Sequence, residues 1–292
     1  MSGVRIPSRS RLLHGFLAVA LGVLLAPLPA GARKPHRAPF RGLGAWVDIY
    51  DDGLWNDPEG AVLDLQQRGV RTLYLETCNY NCPQDLHRTP NMERFIHAAH
   101  GAGLRVVAWY LPGFDNLHRD LSLSKAALNF RTSLGQEFDG FALDIEARLV
   151  NPVAKRNRRI VNLSWKIRRA AGARYPLGAI TPPWFYEWGG PFPYRELDGI
   201  YDAFLPMIYF SGRGEGRKIA GRNVAANFDQ ILAGTGRQRT AVHAIGGIAD
   251  ELGRREVRAF VNGTKRRGGI GVSLYDASTS GPEDWRALSA WG

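Results

Sequence analysis

Asp144 and Glu146 are the residues of this chain whose types and spacing carry the most chemistry. They stand two apart in the run Asp139-Gly140-Phe141-Ala142-Leu143-Asp144-Ile145-Glu146, in which Phe141, Leu143 and Ile145 are apolar. A strand sends alternate side chains to opposite faces. The apolar three therefore pack under a cover, and Ala142, Asp144 and Glu146 share the other face. Like charges this close disfavour double ionisation, which raises one pKa. A carboxylic acid held protonated near neutral pH can donate its proton to a glycosidic oxygen. Glycoside cleavage usually takes a second carboxylate as nucleophile or base; in substrate-assisted enzymes the substrate's own acetamido group attacks instead.

Such a pair needs a frame, and from Gly44 onward the chain repeats one. Short apolar runs predict eight strands at Ala45–Tyr50, Arg71–Thr77, Arg105–Leu111, Gly140–Glu146, Leu177–Thr181, Ala203–Phe210, Thr240–Gly246 and Gly269–Asp276. Between and after them, amphipathic stretches predict helices over Pro58–Arg68, Asn91–Ala102, Ser122–Gln136, Pro152–Ala173, Gly221–Ala233, Arg254–Arg267 and Pro282–Trp291, with a short one near Tyr194–Leu197. Gly69, Gly103, Gly172 and Gly268 fall where a helix end asks for a left-handed residue. Strand alternating with helix implies a parallel sheet covered by helices, and eight such units in this length imply a single (β/α)8 TIM barrel. An open doubly wound sheet would place a Gly-rich phosphate loop after its first strand. Asp48-Ile49-Tyr50-Asp51-Asp52-Gly53 is unlike one.

A barrel builds its site at the C-terminal ends of its strands. Side-chain parity turns Trp46, Asp48 and Tyr50 inward on strand one, Tyr74 and Glu76 on strand two, and Tyr275 on strand eight, with Asp276 at the rim. Met207 and Tyr209 share a face of strand six. The expected ring is thus Asp48, Glu76, Asp144, Glu146 and Tyr209, with Trp46, Tyr110 and Tyr275 as aromatic ligand contacts. The aromatic run Thr181-Pro182-Pro183-Trp184-Phe185-Tyr186-Glu187-Trp188, followed by Phe192 and Tyr194, leaves strand five on the same side. Trp184 and Trp188 suit the apolar faces of sugars, and equally suit a plug that holds a long loop down. His243 on strand seven is in a position to join the site, but a lone histidine more often serves a core. No Ser-His-Asp order and no metal-ligand cluster stands out, so neither metal nor cofactor is expected.

The fourth-strand run resembles the signature of family 18 glycoside hydrolases, the chitinase-like barrels, whose pattern is Asp-x-x-Asp-x-Asp-x-Glu. Asp139, Asp144 and Glu146 match it. The resemblance implies Glu146 as proton donor and Asp144 as the residue orienting the acetamido group. Pro206-Met207-Ile208-Tyr209 is similar to the sixth-strand Met-x-Tyr motif, which implies that Tyr209 assists that group. Ala142 stands where the family carries an Asp, Phe210 where an Asp usually follows the Tyr, and Leu274-Tyr275 where strand eight usually offers a Trp. An Asp-x-Glu on strand four with an Asp on strand one is also similar to family 25 lysozyme-like muramidases. The expected activity is hydrolysis of an N-acetylhexosamine-containing glycan, chitin-like or peptidoglycan. The alternative is a non-catalytic carbohydrate-binding barrel that keeps the cleft.

The N-terminus reads as an address. Arg5, Arg9 and Arg11 precede an apolar run from about Gly15 to Leu28 and then Ala30-Gly31-Ala32, the order of a secretory signal peptide. Residues 1–32 are the expected signal peptide, 33–41 a basic flexible leader and 42–292 the barrel. The product is expected to be secreted or periplasmic, with no membrane segment in the mature chain. The net charge is +11 at pH 7, but the Lys and Arg residues are scattered. Attraction to an anionic cell-wall polymer fits that charge better than nucleic acid. The densest groups, Lys155–Arg159 and Lys265–Arg267, fall in predicted helices, where charge runs usually form a solvated face. Cys78 and Cys82 are the only cysteines. In an oxidising compartment so close a pair is expected to form a disulfide across a short loop.

Overall fold

The structure, a computed structural model, describes residues 35–184, 188–210 and 216–292. The expected signal peptide lies outside them. Eight parallel strands carry the fold: β1 (Gly42–Val47), β2 (Thr72–Asn79), β3 (Arg105–Leu111), β4 (Gly140–Asp144), β5 (Leu177–Thr181), β6 (Ala203–Pro206), β7 (His243–Gly247) and β8 (Gly271–Tyr275). They pair in the order β6-β5-β4-β3-β2-β1-β8-β7. Bridges between Phe204 and Val242 and between Met207 and Ile245 close β6 onto β7. The fold is the (β/α)8 barrel that the alternation of strand and helix implies.

The helices are α1 (Asp52–Asn56), α2 (Pro58–Gln67), α3 (Thr89–Gly101), α4 (Leu117–Asn129), α5 (Val153–Ala171), α6 (Tyr194–Leu197), α7 (Arg217–Thr235), α8 (Arg254–Arg266) and α9 (Pro282–Leu288). Asp57 caps α2 by accepting from the Gly60 N–H at 3.1 Å, with Pro58 in the first turn. The largest boundary difference from sequence is α4, which starts a turn early. Asn116 is its cap, accepting from the Arg119 N–H at 3.1 Å, while Thr132 and Gln136 bond to each other in a separate turn. None of the helices among the described residues is long and apolar enough to cross a membrane.

Parity divides the burial into two cores. Val47, Leu75, Phe141, Leu143 and Ile145 pack between strands and helices. Trp46, Tyr74, Val107, Trp109, Ala142 and Met207 fill the barrel itself. At its floor His243, fully buried, lies 3.0 Å from the Phe40 carbonyl and 3.0 Å from the Ser273 hydroxyl. Burial pushes its pKa down to about 4. Gly44 and Gly178 make room there: a Cβ on Gly44 would come within 2.7 Å of the Tyr74 ring, and one on Gly178 within 2.9 Å of Phe40.

The stretch expected to be a flexible leader is therefore packed over its second half. Ala38–Phe40 form a 3-10 turn, Phe40 is fully buried, and the Pro39 carbonyl accepts from the Thr72 hydroxyl at 2.9 Å. An aromatic that seals the barrel floor buries more apolar area than any solvated leader could.

Candidate active site

At the opposite end of the barrel a cavity of about 320 Å³ opens among Tyr50, Glu76, Asn79, Tyr80, Asn81, Trp109, Leu111, Asp144, Glu146, Met207, Tyr209, Ile248 and Tyr275. Asp144 is the last residue of β4. Ile145 keeps the strand's alternation one step further by donating its N–H to the Ile180 carbonyl at 2.9 Å, so Glu146 reaches the same cavity nearer the mouth. Asp144 is 7% exposed, and its Oδ1 is buried without a hydrogen-bond partner. Burial, then the charges of Glu146 and Glu76, hold its pKa well above the carboxylate range. Burial also raises that of Glu146.

Glu76 enters from β2 at the level of Ala142, because Glu76 pairs in register with Trp109 and Trp109 with Ala142. It is 2% exposed and accepts from the Ile49 N–H at 3.0 Å. Burial, with Asp48 and Asp51 nearby, lifts its pKa to about 8. Among the described residues, no Lys or Arg lines the cavity. Glu76 is met by a neutral donor, and burial raises the pKa values of Glu76, Asp144 and Glu146, favouring the uncharged form in a low-dielectric site.

Asp48 stands just past β1 and accepts from the Tyr50 N–H at 2.7 Å and the Tyr275 hydroxyl at 2.8 Å. Asp51 accepts from the Asp48 N–H at 2.9 Å, and burial raises its pKa to about 6. With Asp276 these two form a group whose carboxylate oxygens lie within 4.8 Å of one another, a cluster not evident from sequence, where Asp276 is expected at the rim but Asp51 lies past the end of the first strand. Asp276 accepts from the Ser278 hydroxyl and the Thr279 N–H, at 2.6 and 2.9 Å. Tyr209 and Tyr275 face each other with ring centroids 6.4 Å apart. Burial next to Asp144 and Glu146 raises the Tyr209 pKa well above the usual phenol value.

Cys78 and Cys82 are bonded to each other. The loop they close carries Tyr80 and Asn81, which form part of the cavity wall.

Four aromatic candidates lie elsewhere. Trp46 is 1% exposed, stacked on Tyr74 at 4.2 Å, and donates to the Ser273 hydroxyl at 2.7 Å. It fills the barrel beneath the cavity. Tyr110 points to the helix side and donates to Asp120 at 2.7 Å, so its neighbour Trp109 takes the cavity wall. Trp188 is 5% exposed, 5.2 Å from Phe192 and under the Arg156 guanidinium at 4.1 Å. That is packing that holds the loop down. Trp184 is 46% exposed and pinned to α7, its indole N–H on Asn223 at 3.2 Å and its backbone N–H on Asn227 at 3.0 Å. Neither tryptophan lines the cavity. Phe185, Tyr186 and Glu187, the middle of the aromatic run, are outside the described residues.

Solved structures of similar shape bear sugar-cleaving names. One is an endo-beta-1,4-mannanase from Thermotoga petrophila, at 9% identity over 87% of this chain and 76% of that one, with a TM-score of 0.65. The shared fold is the (β/α)8 barrel. A family 18 chitinase from Cycas revoluta, in complex with allosamidin, matches at 11% identity, 86% and 99% coverage and a TM-score of 0.61. A family 18 N-acetylglucosaminidase from Paenibacillus barengoltzii matches at 10% identity, 86% and 100% coverage and a TM-score of 0.56. At such identities the likeness is one of fold. No protein-family model and no curated protein sequence matches the chain.

Proposed function

We propose that this protein is a glycoside hydrolase that cleaves N-acetylhexosamine-containing glycans by a substrate-assisted route. The observation that carries the proposal is the buried, partnerless Oδ1 of Asp144 beside Glu146 in the cavity. A buried acceptor without a donor is costly, and an acetamido N–H is a donor of the right kind. Glu146, nearer the mouth and with its pKa raised by burial, gives its proton to the leaving oxygen. Asp144 accepts the acetamido N–H and aims its carbonyl oxygen at the anomeric carbon. The Tyr209 hydroxyl steadies that group. Glu76, at the level of Ala142, offsets the acid missing there by supplying a protonatable group to the same layer. Tyr50, Tyr80 and Trp109 offer rings to sugar faces.

The protein is further proposed to act outside the cytoplasm, which is where a signal peptide would send it and where a disulfide such as Cys78–Cys82 persists. The test is hydrolysis of N-acetylated oligosaccharides and peptidoglycan against the same chains stripped of acetyl groups. Cleavage only of the acetylated chains is expected, and equal cleavage of both would end the substrate-assisted account.

A second reading, a carbohydrate-binding barrel without catalysis, is favoured by Ala142 and by Phe210, whose ring packs on Phe260 at 5.6 Å in the outer core rather than facing the cavity. Binding of acetylated glycans with no product would establish it.

A further inference from the structure

α5 contains seven Lys and Arg residues and no Asp or Glu. Three of the seven serve the fold. Arg156 lies over the Trp188 ring, Arg168 pairs with Asp202 at 2.9 Å, and Arg159 donates to the Asp115 carbonyl at 2.7 Å. The other four, Lys155, Arg158, Lys166 and Arg169, are exposed, and among the described residues none of them pairs with a carboxylate. At 3.6 residues per turn, positions 155, 158, 162, 165, 166 and 169 fall in one sector about 100° wide. The stripe spans about 21 Å from Lys155 to Arg169. Trp165, 46% exposed, sits within it.

Helix stability accounts for Arg169, a cation in the last turn, but not for the rest of the stripe. Lys155 is in the first turn, at the positive end of the helix dipole, where an acid belongs. Neighbouring cations repel, with no acid one turn away to relieve them. On α8 and at its end, by contrast, Arg254 pairs with Glu283 at 3.5 Å, Arg267 pairs with Asp229, and Lys265 lies over the Trp291 ring at 5.6 Å. The stripe also has a direction. α5 follows β4, whose C-terminal end carries Asp144 and Glu146, so Lys155 and Arg158 lie toward the rim of the cavity and Arg169 toward the barrel floor.

We propose that this face of α5 is a docking surface for a carboxylate-bearing polysaccharide that runs over the rim toward the cavity. The four cations match a line of anions, and Trp165 matches the apolar face of a sugar ring. A polyphosphate has no ring to stack. A membrane would meet one tryptophan on a convex barrel flank, too little apolar surface to insert. The choice of a glycan rests on the carbohydrate reading of the cavity.

The experiment uses the full chain, with polygalacturonate, neutral dextran, polyphosphate and phosphatidylglycerol vesicles as probes. Lys166→Glu with Arg169→Glu is expected to weaken polygalacturonate binding by about tenfold or more at low salt. Arg255→Glu with Arg258→Glu on α8 changes net charge equally and is expected to weaken it by no more than about twofold. Trp165→Ala is expected to weaken polygalacturonate binding and leave polyphosphate binding unchanged. Equal losses from the α5 and α8 pairs, or vesicles bound more tightly than polygalacturonate, would overturn the proposal. Hydrolysis of a short uncharged acetylated oligosaccharide keeps the two proposals separable. The α5 variants should retain it, and Glu146→Gln should abolish it while still binding polygalacturonate.

Discussion

The Tyr275 hydroxyl donates to Asp48 Oδ2 at 2.8 Å, tying the end of the last strand to the residue that follows the first. Asp48 thereby holds a cavity-lining ring in place while its other oxygen braces the Tyr50 backbone. The wall of the site is fastened across the barrel seam.

Tyr275→Phe removes that bond and little else. The variant is expected to stay folded, lose about 1 kcal/mol of stability, and lose about tenfold in kcat/KM, equal to about 1.4 kcal/mol of transition-state binding. Denaturant melts and initial rates check it. Wild-type rates would show that the ring only packs.

Glu76 ties stability to pH. Its pKa rises from 4.5 to about 8 on folding, so the native state holds a proton that the unfolded chain has released. Its contribution is whole below pH 4.5 and is lost as pH climbs through about 8. Glu76→Gln keeps an acceptor for the Ile49 N–H and is expected to flatten that decline, gaining on the order of a few kcal/mol at pH 9 relative to pH 5. Unfolding curves at the two pH values test it, and parallel declines in both proteins would contradict it.

The two tryptophans of the aromatic loop should separate cleanly. Trp188 is buried under Arg156, so Trp188→Ala is expected to cost about 3–5 kcal/mol. Trp184→Ala, at an exposed site, should cost less than about 1 kcal/mol. Similar losses in both would mean that Trp184 also anchors the loop.

The Cys78–Cys82 bond closes a short loop, so reduction is expected to cost at most about 2 kcal/mol on the chain-entropy account. No thiol should titrate in the denatured, unreduced protein. Because Tyr80 and Asn81 ride on that loop, reduction should weaken glycan binding more than it lowers stability.

Parity made the barrel and its central acids legible wherever apolar and polar residues alternate. Phe141, Leu143 and Ile145 turn outward, which leaves Ala142, Asp144 and Glu146 inside. It failed on β3, where Val106 through Leu111 is apolar on both faces, so nothing in the sequence separated Trp109 from Tyr110. A register shift between Glu76 and Cys78 hid the cavity role of Asn79. Phe40 was illegible for another reason. Its partner His243, like the Thr72 hydroxyl that holds the neighbouring Pro39 carbonyl, is distant in sequence, and a short Pro-containing stretch carries no periodicity to announce a plug.

Glu146→Gln tests the central claim most directly. The substitution keeps size and removes the transferable proton. If Glu146 is the general acid, hydrolysis of an acetylated oligosaccharide should fall by about 10²-fold or more while binding persists. The alkaline limb of the wild-type profile, set by a carboxyl that burial holds above its ordinary range, should vanish with it. Stability should be unchanged or raised, because a desolvated acid near Asp144 is gone. A variant that hydrolyses at the wild-type rate, or one that fails to fold, would contradict the account.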